Sequence, residues 1–388
     1  MTAGDLPLSL YLHFPWCVSK CPYCDFNSFA NKEAQIPEAR YLDRLLADLE
    51  LQQERFDVDR TVISVFLGGG TPSLFSPTAM ARVMDGLRAR FRLADDAEVT
   101  MEANPGTLER GRFKAYRDAG INRVSLGVQS FDDQQLKKLG RIHSADEARH
   151  AAEELHAAGL TNFNLDLMYG LEKQTVDAAA ADITEALKLA PAHISHYQLT
   201  LEQGTPFAAN PPALPDDDRI VEMLDTCKIL LADSGFQRYE VSAYARVGRK
   251  CRHNLNYWSF GDYLGAGAGA HGKLTTREGI LRTQQIREPR RYMVAGGESL
   301  VVTPVPAHQL PFEYMLNALR LLGGFARQDF PARTGLDWDT VAEAWTKGEV
   351  AGFLERTEAG FCRASPRGID FLNDALLPFL PDRKALGC

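Results

Sequence analysis

Between Leu8 and about Tyr244 the chain alternates six short apolar runs with longer amphipathic stretches, a pattern that narrows the choice of folds sharply. The runs are Leu8 to Phe14, Val62 to Leu67, Glu98 to Glu102, Arg123 to Val128, Asn162 to Met168 and Ile194 to Leu199. Most lack strict period-two alternation, which suits strands of a parallel sheet covered on both faces. Helix signals lie between them: Ser76 and Pro77 as N-cap and first turn, Ser144 with Glu147 as a capping box, and Pro191 closing a helix that begins near Asp177. Six βα units are too few for the closed eight-unit barrel. The expected fold class is therefore α/β, an open, partial (βα)6 barrel with its site at the carboxyl ends of the strands.

Three units are expected along the chain: residues 1–244 as the barrel, 245–303 as an irregular connecting segment, and 304–388 as a small C-terminal domain. A seventh strand is expected around Gln237 to Ala243. Helical patterns at Pro311 to Leu322 and Trp338 to Lys347, a turn-rich segment at Glu358 to Arg367 and a last helix ending at Leu377 resemble a helical, winged-helix-like unit. Such units often bind DNA, but from Pro306 to Cys388 nine Lys or Arg face eleven Asp or Glu, about −2. That sign opposes phosphate neutralisation, so a packing or covering role is expected and no nucleic-acid partner.

The whole chain carries a net charge of −8, with 45% hydrophobic residues. Disordered and fibrous classes are excluded, as is a general basic field. No uncharged apolar run approaches the roughly 18 residues of a membrane span, and Met1 to Leu10 has no basic leader, so the expected location is cytoplasmic. Of seven cysteines, Cys17, Cys21 and Cys24 fall within one short loop after the first strand, whereas Cys227, Cys251, Cys362 and Cys388 are scattered.

The close trio asks for a metal. With His13 nearby, a Cys3His zinc site is one option. A 4Fe-4S cube on three thiolates, leaving one iron open to a chelating ligand, is the other. At the second strand end stands Gly68-Gly69-Gly70-Thr71-Pro72, whose missing Cβ atoms let backbone approach a ligand. No Gly-Lys-Ser/Thr follows, so it is not a P-loop. Glu102, Gln129 and Asp166 end or interrupt the third, fourth and fifth runs, and Arg141 lies beyond Gln129. Several polar groups at one rim of a sheet argue for a shared polar ligand.

These residues carry a resemblance. The loop Cys17-x3-Cys21-x2-Cys24 after Tyr11-Leu12-His13-Phe14-Pro15, the Gly-Gly-Gly-Thr-Pro turn and the rim Glu, Gln, Arg and Asp resemble the radical S-adenosylmethionine superfamily. The similar branch is the one holding oxygen-independent coproporphyrinogen III dehydrogenases and the HemW group of haem chaperones. The resemblance implies a 4Fe-4S cluster on Cys17, Cys21 and Cys24. S-adenosylmethionine then chelates the open iron through its amino and carboxylate groups, and an electron from the cluster cleaves the sulfonium. It also implies Tyr11 and Tyr23 near cluster or adenine and Gly69, Gly70 and Thr71 at the methionine end. Glu102, Gln129, Arg141 and Asp166 are implied on the ribose and other polar parts, with Thr200 as a further candidate.

Within the branch, the dehydrogenases carry another Cys two residues after the third ligand, where this chain has Asp25-Phe26, and a longer segment ahead of the first strand. Both departures argue against porphyrinogen decarboxylation and leave cleavage of S-adenosylmethionine open. In their place stands Arg252-His253-Asn254-Leu255-Asn256-Tyr257-Trp258. Its imidazole can ligate iron and its aromatic rings can carry a macrocycle. The His253-Asn254-x-x-Tyr257-Trp258 pattern resembles the haem signature of the HemW group; beside it, Cys251 is an alternative ligand or a merely buried thiol, and His271 is a candidate second ligand. The expected function is haem transfer to an unidentified apo-haemoprotein, with an electron donor if S-adenosylmethionine is cleaved and a homodimer by analogy. Gly267-Ala268-Gly269-Ala270-His271-Gly272 formally matches Gly-x-Gly-x-x-Gly but lacks a βαβ context. Its glycines are expected to pack near the haem motif.

Overall fold

The computed structural model describes residues 6–31, 35–106, 111–296 and 299–381; Cys388 and the outermost ends of the first and last expected units lie outside them. Strands β1 (Leu8–Phe14), β2 (Val62–Gly69), β3 (Leu93–Ala103), β4 (Arg123–Gln129), β5 (Phe163–Tyr169) and β6 (His193–Gln198) lie side by side in chain order, each neighbouring pair parallel. Helices Glu38–Arg55, Pro77–Arg90, Phe113–Ala119, Ala145–Ala157 and Val176–Lys188 connect them. Ser76 accepts from the Ala79 N–H, and Ser144 with Glu147 forms the capping box. The helix expected from about Asp177 starts at Val176, with Thr175 accepting from the Ala178 N–H.

The strands alternate more regularly than their sequence suggested. Leu8, Leu10, Leu12 and Phe14 of β1, with Val124, Leu126 and Val128 of β4, join helix residues such as Leu45, Val83 and Ala148 in the main core. The intervening side chains form a second, polar row. Ser9 and Ser64 bond at 2.7 Å, Asn164 donates to Ser125 at 2.8 Å, and Ser195 donates to Asn164 at 3.1 Å. Since successive strand residues point to opposite faces, the sheet is apolar towards its helices and polar on its concave inside. Both faces are covered, which is why the polar members are buried and the runs read as continuous.

The segment expected as irregular connection is ordered and completes the sheet. Two short antiparallel strands, β7 (Gln237–Arg238) and β8 (Ala243–Ala245), replace the single seventh strand. A helix at Arg252–Trp258 leads into β9 (Asp262–Ala266), which pairs parallel with β1. Then β10 (His271–Thr276), β11 (Gly279–Gln284) and β12 (Val301–Pro304) add antiparallel strands. The twelve-stranded order is β12-β11-β10-β9-β1-β2-β3-β4-β5-β6-β8-β7. The Gly267–Ala270 turn joins two strands and opens no helix, so it is no dinucleotide fingerprint. Its glycines pack against the end of β1 and the cysteine loop, where a Cβ on Gly267 would lie 2.4 Å from the His13 carbonyl and one on Gly269 2.2 Å from Asn27, and Gly269 lines one cavity with His253, Tyr257 and Trp258.

The C-terminal residues fold as helix Leu310–Ala318, strand Phe325–Ala326, helices Asp329–Thr334 and Asp339–Val350, and strands Leu354–Arg356 and Phe361–Ala364. This is a winged-helix order around its own aromatic core of Tyr314, Phe325, Phe330, Trp338 and Trp345. Arg320 joins it to the barrel, donating to Glu240 at 2.9 Å with its guanidinium 4.3 Å from the Trp258 ring centroid.

The β9–β10 extension is held by a buried charge cluster. Asp262 meets Arg60 at 2.8 Å and Lys273 at 3.0 Å, and accepts from the Thr275 N–H at 3.0 Å. Burial pushes its carboxyl up, but Lys273 and Arg60 outweigh this and hold it below the usual range. Removing one member leaves the others uncompensated. Asp262→Ala is expected to lower the unfolding free energy by about 3–5 kcal/mol, measured by denaturant titration; an unchanged midpoint would contradict this role.

Candidate functional site

The cysteine loop follows β1 directly. Trp16–Cys17 pairs with Phe29–Ala30, Lys20 donates to the carbonyls of Phe26 (3.0 Å) and Ser28 (3.1 Å), and the Cys24 N–H bonds the Cys21 carbonyl at 3.2 Å. These bonds wrap the chain so that Cys17, Cys21 and Cys24, free and half-buried, all line one cavity of about 370 Å3. The zinc alternative loses its fourth ligand, because both ring nitrogens of His13 are engaged, Nδ1 with Tyr11 Oη at 3.0 Å and Nε2 with the Asn27 carbonyl at 2.9 Å. Among the described residues no three His, Cys, Asp or Glu side chains surround a single-ion position. Three thiols opening on a polar cavity are a donor set that fits a three-thiolate iron–sulfur cluster with one open iron.

The remaining walls come from the ends of β2 to β6. Gly69 (φ +110°) and Gly70 close on the loop: their Cβ atoms would lie 2.4 Å from His13 and 2.6 Å from the Trp16 carbonyl oxygen. The glycines thus admit the cysteine loop itself, and with Thr71 they line the cavity. Glu102 accepts from the Gly69 N–H at 2.9 Å. Arg141 donates to Asn104 at 2.5 Å and the Gly127 carbonyl at 2.8 Å, and reaches Cys21 Sγ at 3.6 Å. Gln129, held at φ +72° where a non-glycine residue is strained, accepts from Tyr197 Oη at 2.7 Å. Asp166 accepts from Ser125 at 3.0 Å and Asn164 at 2.8 Å.

Tyr23, Gly69, Gly70, Thr71, Glu102, Gln129, Arg141 and Asp166 are brought together in this cavity. Two expected residues are not. Thr200 is exposed and bonds only the Gln198 carbonyl, because the chain leaves the sheet at Gln198; Tyr197 takes its place at the wall. Tyr11 is an inward residue deeper in β1, and it lines a second cavity. Asn104 and Tyr197 escaped sequence reading. Asn104 immediately follows β3 and could have been found as a further polar rim residue; Tyr197 looks like strand filler.

The second cavity, about 820 Å3, occupies the concave inside of the sheet and shares Phe26, Gly69, Glu102, Ser125 and Asp166 with the first. Its floor is the helix Arg252–Trp258, and His253, Asn254, Tyr257 and Trp258 all line it, with His271 at its wall. Glu98 fixes that helix: its Oε1 accepts from the N–H groups of Arg252 (2.9 Å) and His253 (3.3 Å), a carboxylate at the positive end of the helix. Asn256 anchors the far side, donating to Ser9 at 2.9 Å and to the Asp262 carbonyl at 2.9 Å. The His253 ring lies 5.0 Å from Phe66 and 6.3 Å from Tyr11. Burial, then the charge of Arg123, lowers its pKa to about 3, which keeps the imidazole neutral and able to ligate a metal. Cys251 is a buried thiol beside Glu98, pushed up to about 12 by burial.

Burial and then the Asp166 carboxylate push Glu102 up to about 7, although the Gly69 N–H opposes the shift. The folded chain therefore holds this proton between the ordinary carboxyl range and pH 7, where the unfolded chain has lost it. Stability falls as pH rises through that window. Glu102→Gln is expected to flatten the slope and raise stability at pH 8 by on the order of 1–2 kcal/mol, with no gain below pH 4.5, measured by thermal denaturation against pH.

Comparison with known proteins bears on this geometry. The family description Radical SAM superfamily matches residues 11–186. The heme chaperone HemW of Escherichia coli (strain K12) is 48% identical over 377 residues, 97% of this chain and 99% of that protein. The heme chaperone HemW of Haemophilus influenzae is 46% identical over 97% of this chain and 98% of its own length. Among solved structures, the coproporphyrinogen III oxidase HemN of Escherichia coli superposes with a TM-score of 0.80 at 22% identity, covering 97% of this chain and 90% of that one, a likeness of fold. The chain belongs to the HemW family of the radical SAM superfamily.

Proposed function

We propose that the protein is a haem chaperone that carries a 4Fe-4S cluster on Cys17, Cys21 and Cys24, binds S-adenosylmethionine beside it, and takes haem into the inner cavity for transfer to an acceptor haemoprotein. The observation that carries this reading is the junction of the two cavities: the thiol-lined site and the His253 motif open on one chamber with common walls. The names of the HemW relatives support it. Asp25-Phe26, where the dehydrogenases have a further cysteine, favours it over porphyrinogen decarboxylation.

A cluster held by Cys17, Cys21 and Cys24 would supply one electron of low potential to the sulfonium of a bound S-adenosylmethionine. The chain's own residues set the surroundings. Arg141 places a positive charge beside Cys21 and offsets the negative charge of a thiolate-bound cluster. Glu102 and Asp166 present acceptors to hydroxyl groups. Nδ1 of His253 lies 3.5 Å from Ser64 Oγ, which leaves Nε2 as the atom to meet iron, while Tyr257 and Trp258, 4.9 Å apart and nearly perpendicular, offer faces to a macrocycle. Val18 and Phe26, exposed on the cysteine loop, support contact there with a second copy or an electron donor. A reducing, cytoplasmic setting suits three free thiols held so close.

Protein purified and reconstituted without air is expected to show iron, acid-labile sulfide and a broad visible absorption band, all lost in Cys17→Ala, Cys21→Ala or Cys24→Ala. Zinc without labile sulfide would overturn the cluster. In haem titrations followed by Soret absorption, His253→Ala and Tyr257→Ala are each expected to weaken binding about tenfold or more. Unchanged affinity in both would remove haem from this cavity.

A further inference from the structure

Arg123 opens β4 on the inner face, lines the larger cavity beside the motif helix and is 2% exposed. A guanidinium offers several N–H donors and keeps its charge at any pH of interest. Among the described residues its guanidinium makes one hydrogen bond, Nη1 to Thr100 Oγ1 at 3.5 Å, and its Nε has no hydrogen-bond partner. The nearest carboxylate oxygen, Glu98 Oε2, is 3.9 Å from Nε. Glu98 is a divided counter-charge, since its other oxygen serves the backbone of Arg252 and His253 and the Cys251 thiol. Asp166 is likewise engaged, by Ser125 and Asn164. A second buried donor without an acceptor, Trp258 Nε1, belongs to the same cavity wall.

Glu98 and the neighbouring acidic groups offset the charge itself, but two buried N–H donors without acceptors beside one chamber are a cost to the fold that an anionic acceptor on a ligand would relieve. Among the ligands of the proposed function, two bring carboxylates. That of S-adenosylmethionine belongs at the cluster, across the chamber beside Arg141. The propionates of haem are the only carboxylates left for the floor. We propose that Arg123 binds a haem propionate, so that the macrocycle enters with its carboxylate edge inward, towards the motif helix, and leaves its apolar edge near the exposed Phe26. This rests on the haem reading above.

The test compares ferric protoporphyrin with its dimethyl ester, both delivered to cluster-loaded protein in the same mild detergent and followed by Soret absorption. The wild-type chain is expected to bind the free acid at least about tenfold more tightly than the ester, the size of one charge-assisted contact. Arg123→Gln should bind acid and ester alike, at the ester's affinity, and Arg123→Lys should keep a preference for the acid. Equal binding of acid and ester by the wild type would overturn the inference alone, as would an undiminished preference in Arg123→Gln. Arg287 also lines the cavity, so Arg287→Gln is the control: it should keep the wild-type preference, and loss of the preference there would overturn the inference even if Arg123→Gln folds poorly. No uptake of either macrocycle would overturn the haem reading together with the inference.

Discussion

The structure depends on a sheet whose concave face is polar and nevertheless buried. Burying hydroxyls, amides and carboxylates is tolerable only if each finds a partner. The inward rows meet that demand largely among themselves. Asn164 donates to Ser125 and Asp166 and accepts from Ser195; His193 bonds Asn164 at 2.7 Å and Tyr239 Oη at 2.9 Å. Tyr239 Oη in turn meets the Cys251 N–H at 3.3 Å. A continuous polar chain therefore runs from the carboxylate beside the cysteine loop to the start of the motif helix. The rows leave Arg123 Nε without a hydrogen-bond partner among the described residues.

The chain after β8 serves that inner face. The helix Arg252–Trp258 is short and lacks a side-chain cap of its own, yet Glu98 on β3 supplies the missing acceptor and Asn256 ties it to β1. Next, β9 doubles back to pair with β1, and the Asp262 cluster secures the turn by joining the chain just before β2 to β10. The C-terminal unit leans on the same region through Arg320, which contacts Glu240 and the Trp258 ring together. A unit with the order of a DNA reader is thereby placed beside the floor of the chamber.

Two cavities that share Phe26, Gly69, Glu102, Ser125 and Asp166 cannot be electrostatically independent. A carboxyl that titrates near neutrality at this common wall responds to whatever charge arrives on either side. Glu98 accepts from the backbone N–H of His253 and lies 3.9 Å from the Arg123 guanidinium, so one carboxylate ties the motif helix to the buried cation of β4.

Features set by near neighbours in the chain were legible from residues alone. The Cys17, Cys21 and Cys24 spacing, the Ser144–Glu147 cap, the glycine turn closing β2, the polar ends of β3 and β4 and the polar interruption of β5 at Asp166 all act over a few residues. Contacts between distant segments were not. Asp262-Tyr263-Leu264-Gly265-Ala266 looks like a glycine-rich connection, and only pairing with β1 makes it a strand. Thr200 and Tyr197 exchange roles because the sheet ends two residues before the former. Glu98 and Arg123, read as ordinary strand residues, gain their meaning from a helix more than a hundred residues later. Backbone propensity and local hydrogen bonding are written in consecutive residues, whereas burial of a charge and the identity of its partner exist only once the chain has closed around them.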